Sequence, residues 1–194
     1  MGKRMGCEKS ARRARTATQG IGLALAVVAT AMGACAQGRA PLISARLLLG
    51  TDAVHPGSKV KVAVVAEIPS GLHINEHKPT LEYLIPTEVK ITSAEPLTVE
   101  RVFYPPGQAR KFTFEDKPLS VYEGTVVVGA LLNVSSAAAA GDYTLHGEFS
   151  YQACNDQACF PPASVPVTAL VKVVGKTVPL KPVNQDVFRR TSFK

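Results

Sequence analysis

Ser58-Lys59-Val60-Lys61-Val62-Ala63-Val64-Val65-Ala66-Glu67-Ile68 is the stretch whose reading decides the fold. In an extended chain successive side chains point to opposite faces, so Val60, Val62, Val64 and Ala66 share one side while Lys59 and Lys61 take the other. The β-branched valines suit a pleated, half-buried surface and lose side-chain freedom in a helix. The spacing therefore predicts a strand. Just upstream, His55-Pro56-Gly57 reads as a turn, and residues 42–49 read as the strand before it.

Downstream the pattern repeats. Residues 71–79 form a polar segment with a short extended core, residues 87–92 and 99–104 read as strands, and Pro105-Pro106-Gly107 stops the second of them. Residues 112–118 mix aromatic, acidic and basic side chains and read as a loop. Residues 121–134, centred on Val126-Val127-Val128, form the longest apolar segment and predict one buried strand. The alanines at 137–140 sit in too short a run for a stable helix, so a loop or a single helical turn is expected there. Residues 143–151 and 163–174 complete the strands, and residues 176–194 read as a polar, proline-bearing tail with little order. Seven or eight short strands at this spacing predict an all-β, two-sheet sandwich in one domain over residues 41–175. No internal repeat or second domain is evident.

The net charge of +7 is concentrated at the start of the 194-residue chain. Lys3, Arg4, Lys9, Arg12, Arg13 and Arg15 precede an apolar run, and Glu8 alone opposes them; without these seven residues the charge falls to +2. The body mixes both signs, so the basic excess is not a nucleic-acid footprint. A basic region, an apolar run over residues 21–34 and small residues at Ala34-Cys35-Ala36 make a secretory leader over residues 1–36. The run is too short to span a bilayer comfortably. Three fates remain open on the residues: cleavage after Ala36, lipidation of Cys35 in the lipobox-like Met32-Gly33-Ala34-Cys35, or retention as an anchor.

Cys7 lies in that leader and Cys35 is removed or lipidated, which leaves Cys154 and Cys159 as a pair. In an oxidising compartment a disulfide between them is the expected resting state. So short a ring stabilises a fold by only about 2 kcal/mol. That favours a bond that opens and closes over a staple, although a bridge pinning a hairpin remains the other reading. Asp156, between the two cysteines, would raise a neighbouring thiol's pKa, so loop geometry or proton relay suits it better than thiolate stabilisation.

Tyr151-Gln152-Ala153-Cys154 and Cys159-Phe160-Pro161-Pro162, with Gly71-Leu72-His73-Ile74-Asn75 and Pro118-Leu119-Ser120-Val121-Tyr122, resemble the N-terminal periplasmic domain of the thiol:disulfide interchange protein DsbD, in the same order. The resemblance implies an immunoglobulin-like sandwich without a cofactor. Its cysteine pair would relay electrons from a membrane reductase to periplasmic thioredoxin-fold proteins, a route that also serves cytochrome c biogenesis. By the same resemblance Cys159 would form the mixed disulfide with partners and Cys154 would resolve it. A cap loop would correspond to residues 112–118, with Phe114 as the covering ring, Phe112 in reserve and Glu115 or Asp116 as acidic neighbours. His73, Asn75 and Tyr151 would stand near the site. An ordinary core aromatic for Phe114 and a satisfied buried histidine for His73 are the competing readings. Four residues separate the cysteines here, against five in the best-known member, and the membrane bundle that follows in full-length relatives is expected on a separate polypeptide. A monomer is expected.

Two other classes compete. His73, His77, Cys154 and Cys159 have the ligand types of a zinc or copper site, although His77 sits between Glu76 and Lys78 in a solvated pattern. A plain binding or assembly sandwich with an incidental bridge is the second. No nucleophile elbow or phosphate-binding glycine loop is present.

Overall fold

The computed structural model describes residues 42–92 and 95–193. The leader over residues 1–36, the lipidation candidate Cys35 and the domain's first residue, 41, lie outside them. In chain order the strands are β1 (Ser44–Leu49), β2 (Lys59–Glu67), β3 (His73–Asn75), β4 (Glu88–Thr92), β5 (Leu97–Phe103), β6 (Gln108–Arg110), β7 (Leu119–Tyr122), β8 (Thr125–Val134), β9 (Gly141–Tyr151), β10 (Ala153–Cys154) and β11 (Ala163–Val173), followed by a short helix α1 (Gln185–Arg190). They form a β-sandwich. One sheet has the order β1-β2-β8-β5, the other β11-β9-β4, and a smaller sheet, β10-β3-β7-β6, holds the site described below.

The alternation in β2 sets the core. Val62 pairs with Ala130 and Val64 with Val128 across the antiparallel β2/β8 ladder, and all four are buried. Leu145, Phe149, Val167 and Val171 from β9 and β11 belong to the same buried cluster. Burying a side chain the size of valine or leucine stabilises by about 1.5–3 kcal/mol, so this layer is the main source of cohesion.

Two sequence expectations differ from the structure. The apolar segment 121–134 is two strands in different sheets, because Gly124 adopts φ 63° after Glu123 and turns the chain. The left-handed region favours glycine, which has no Cβ to clash. The polar character of Glu123-Gly124 was hidden by the apolar residues on either side.

The tail also differs, for it docks against the first sheet. Val183 N–H donates to the Gly50 carbonyl at 3.0 Å, Lys181 N–H to Asp52 Oδ1 at 2.9 Å and Asn184 Nδ2 to the Leu49 carbonyl at 2.9 Å. Phe193 then packs on Phe103, 5.6 Å between ring centres, above Gly129. A Cβ on that glycine would lie 2.7 Å from Thr191 and 3.0 Å from Phe193. Ala63 pairs with Gly129, and Ala63 and Val65, on the lysine side of β2, are buried as well. Both faces of the strand are therefore covered, the inner by the opposing sheet and the outer with help from a tail whose composition looks solvated.

Candidate functional site

The cysteine hairpin grows out of β9. After Tyr151 the chain continues into β10, where Ala153 pairs with Ile74 and Cys154 with His73 of β3. A four-residue turn follows, built on one side chain. Asn155 Oδ1 accepts from the Gln157 and Ala158 N–H groups at 2.9 and 2.8 Å, while Asn155 N–H donates to the Ala158 carbonyl at 3.0 Å. Asparagine favours such turns because its short amide mimics a backbone group. Phe160 N–H returns to the Ala153 carbonyl at 2.8 Å, and Gln152 Nε2 ties down the Phe160 carbonyl. Cys154 and Cys159 thus stand opposite each other across the hairpin, joined by a disulfide of 2.03 Å with their Cα atoms 4.0 Å apart.

The two cysteines differ sharply in environment. Cys154 is 2% exposed, whereas Cys159 is an exposed residue at the hairpin's outer arm. An incoming thiol has access to one side of the bond only.

Around the hairpin an aromatic stack runs outward from β3. The buried His73 ring lies against Phe112 at 4.4 Å, and Phe112 against Phe114 at 5.3 Å. Phe112 is buried in a small cluster with Leu119 and Val121, against which Leu81 and Leu84 pack. Phe114 is 55% exposed, so it is not a core aromatic. Of the two rings named from the sequence, Phe112 is the inner, against His73, and Phe114 the outer.

The loop over residues 112–118 is pinned at its centre, on Glu115 and Asp116. Glu115 Oε2 accepts from the Tyr83 hydroxyl at 3.0 Å and Oε1 from Lys117 N–H at 3.3 Å, which together hold its carboxyl below the usual carboxylate range, the Lys117 bond most strongly. Lys111 Nζ donates to the carbonyls of Glu115 and Asp116. Asp116 is an exposed residue.

The remaining sequence candidates separate into two groups. Asp156 sits on the hairpin and, with Arg110 and Glu123, lines two adjoining cavities of about 540 and 460 Å³ beside His73 and Phe112. Arg110 Nε and Glu123 Oε1 are 3.1 Å apart. Burial pushes the His73 ring below its ordinary pKa; the carboxylates of Glu123 and Asp156 oppose that shift, and Arg110 adds to it. Asn75 and Tyr151 instead serve the frame. The Asn75 amide donates to the Ile85 carbonyl at 2.9 Å and its own carbonyl receives the Thr87 hydroxyl at 2.6 Å. Tyr151 turns into the core, its hydroxyl accepting from Ile43 N–H at 3.2 Å.

Sequence reasoning passed over Asn155, Arg110, Glu123 and Tyr83. An asparagine opening a cysteine-flanked turn is a legible signal; the other three meet the site only through pairing of strands distant in sequence.

The metal reading finds no support in the geometry. His77 stacks in parallel on Tyr104 at 3.6 Å and its Nδ1 donates to the Thr87 carbonyl at 3.1 Å. Among the described residues no three His, Cys, Asp or Glu side chains are grouped as metal ligands.

The fold and site together define a class: an antiparallel β-sandwich with a disulfide at one end, one sulfur-bearing residue buried and the other open to solvent. Within that class the chain belongs to the family described as thiol:disulfide interchange protein DsbD, N-terminal, whose model matches residues 44–170. Among solved structures it is similar to the N-terminal periplasmic domain of ScsB from Proteus mirabilis, at 15% identity and a TM-score of 0.45; the match covers 65% of this chain and 45% of that one, less than half of its length. It is similar also to the complex between the DsbD N-terminal and PilB N-terminal domains from Neisseria meningitidis, at 19% identity and a TM-score of 0.35, covering 63% of this chain and 80% of that one. The seventh ScaB type I cohesin from Pseudobacteroides cellulosolvens is a third, at 16% identity and a TM-score of 0.42, covering 70% and 94%. Comparison with curated protein sequences gives no match.

Proposed function

We propose that this domain passes electron pairs between proteins outside the cytoplasm, using Cys154 and Cys159 as an exchanging disulfide. The observation that supports this reading best is the asymmetry of the pair, with Cys154 buried and Cys159 exposed. Exchange requires in-line attack on an accessible sulfur and a second sulfur to leave. A donor thiolate attacks Cys159 Sγ, forming a mixed disulfide and expelling Cys154 Sγ with the bonding electron pair. The donor's second thiolate then attacks its own partner sulfur, releasing Cys159 as thiolate, so the domain ends as a dithiol and the donor as a disulfide. Delivery to an acceptor runs the same steps in reverse.

Family membership supports the type of chemistry. The partners in this reading are thioredoxin-fold proteins on one side and a membrane thiol reductase on the other, the leader having delivered the domain to the periplasm. In this reading residues 112–118 are the cap loop, its Phe112 and Phe114 rings stacking outward from His73 on the Cys154 side while Cys159 stays exposed.

The test is a thiol count. Oxidised protein is incubated with reduced thioredoxin, quenched in acid and alkylated. Two newly alkylated cysteines per molecule, at Cys154 and Cys159, are expected within minutes. A bond that stays closed under these conditions, and whose chemical reduction only lowers stability, would make the bridge structural.

A further inference from the structure

When the bond opens, Cys154 becomes a buried thiolate. Burial disfavours that charge, so the sulfur needs a proton when it leaves and must lose one before it can attack again. The proton has to be supplied and withdrawn within the site, because Cys154 is almost closed to water.

One titratable side chain is built into that position. His73 is the cross-strand partner of Cys154 in the β3/β10 ladder, and such partners project from the same face of a sheet with β-carbons about 4.5–5.5 Å apart. Its ring stacks on Phe112, 4.4 Å between ring centres. His77 and His55 each bond a backbone carbonyl through a ring nitrogen; among the described residues the His73 ring forms no such bond. The charged groups around it are Asp156 on the cysteine hairpin, Glu123 at the turn between β7 and β8, and Arg110 of β6, and they line the two cavities that open to solvent. This arrangement leads from water, past two carboxylates, to an imidazole beside the buried sulfur.

We infer that His73 is the proton-transfer group for Cys154, exchanging protons with solvent by way of Asp156 and Glu123. The inference rests on the interchange reading above and gives one residue of the site its role. In delivery, Cys159 thiolate first joins the acceptor, breaking the acceptor's disulfide. Neutral His73 then takes the proton from the Cys154 thiol, directly or through one water. The thiolate attacks Cys159 Sγ, the acceptor's sulfur leaves with the electron pair, and the proton passes to solvent. In the opposite direction His73 takes up a proton from solvent and passes it to the departing Cys154 sulfur, ending neutral again. Burial suits the ring to this task by keeping it neutral, and so able to accept, near pH 7.

The two steps separate in one experiment. Fully reduced mature protein is mixed with Ellman's reagent in a stopped-flow instrument between pH 5 and 9. Cys159 attacks first and releases one equivalent of coloured thiolate; Cys154 then attacks the mixed disulfide and releases the second. In unmutated protein the second release is expected to rise through an inflection below pH 6.5, at the pH where the His73 ring titrates by NMR, and then to level off. In His73→Gln the second release should slow by about 100-fold or more near pH 7 and lose that inflection, so that the ratio of second to first release falls.

A second release in unmutated protein that follows hydroxide concentration with no inflection would overturn the inference. So would a variant that keeps the inflection. The unmutated profile decides the matter even if His73→Gln does not fold. Absence of any second release from the unmutated protein is a different failure, since it would sink the interchange reading itself.

Discussion

The sheet β1-β2-β8-β5 and the sheet β10-β3-β7-β6 are built on opposite principles. The first uses strands of up to ten residues whose inward positions are almost all valine, leucine and alanine. A one-residue slip there would expose its whole apolar set, so register is strongly specified. The second uses strands of two to four residues and depends on particular polar groups: Asn75 on the Ile85 carbonyl, Asn155 closing its turn and Thr80 Oγ1 receiving Ser120 N–H. Hydrophobic area secures the large sheet, and the small one, which joins the same core through Ile74, Tyr122 and Ala153, can place a histidine and a disulfide where an apolar layer has no room for them.

That contrast can be broken from either side. Leu132→Ala, in the buried heart of β8, should lower the unfolding free energy by about 2–5 kcal/mol. Urea titration reads the loss, and the folded fraction should still exchange its disulfide at the normal rate. Gly129→Val should do less, about 1–3 kcal/mol, because the added carbons meet Thr191 and Phe193 rather than the core. Its signature is faster tryptic cleavage at Arg189 and Arg190 as the tail is displaced.

Changes in the small sheet should reverse the balance between stability and chemistry. Asn155→Ala removes the acceptor for two backbone N–H groups and should cost about 1 kcal/mol. The same change should shift the disulfide toward reduction in a glutathione titration, since the turn that holds the two sulfurs together is loosened.

The smallest expected effect is one of pH. His73 is held below its ordinary value of 6.5 in the folded protein, so between that value and its folded-state pKa the unfolded chain binds the proton more tightly. Its contribution to stability is complete above pH 6.5 and is lost as pH falls through the folded-state value. Urea midpoints at pH 7.5 and 5 should differ less in His73→Gln than in the unmutated protein.

The same contrast explains what could be read from the sequence. In β2 the valines recur with a period of two after the alternating Lys59 and Lys61, so Val60, Val62, Val64 and Ala66 point to the sandwich unaided, although Ala63 and Val65 on the other face are buried too. The Cys154 and Cys159 pair and its flanking motif were equally legible. Gly124 was not, because a turn of two residues inside an apolar run leaves the composition unchanged. The tail's docking is not legible because Phe193 gains its meaning only from Gly129, distant in sequence, which leaves room for it. In the loop, sequence selects aromatics but not their order; only the fold shows that Phe112 lies inside on His73 and Phe114 outside on Phe112.

The central claim is that Cys159 meets partners and Cys154 resolves them. Single-cysteine variants examine it directly when mixed with thioredoxin that keeps only its exposed cysteine, activated as the mixed disulfide with thionitrobenzoate, so that thionitrobenzoate is the leaving group and no second thiol can reverse the bond. Adducts are resolved on a non-reducing gel and the joined peptides identified by mass spectrometry. Cys154→Ser should accumulate a covalent complex through Cys159, and Cys159→Ser should form little or none. A stable complex from Cys159→Ser alone would reverse the two roles, and none from either variant would contradict the account.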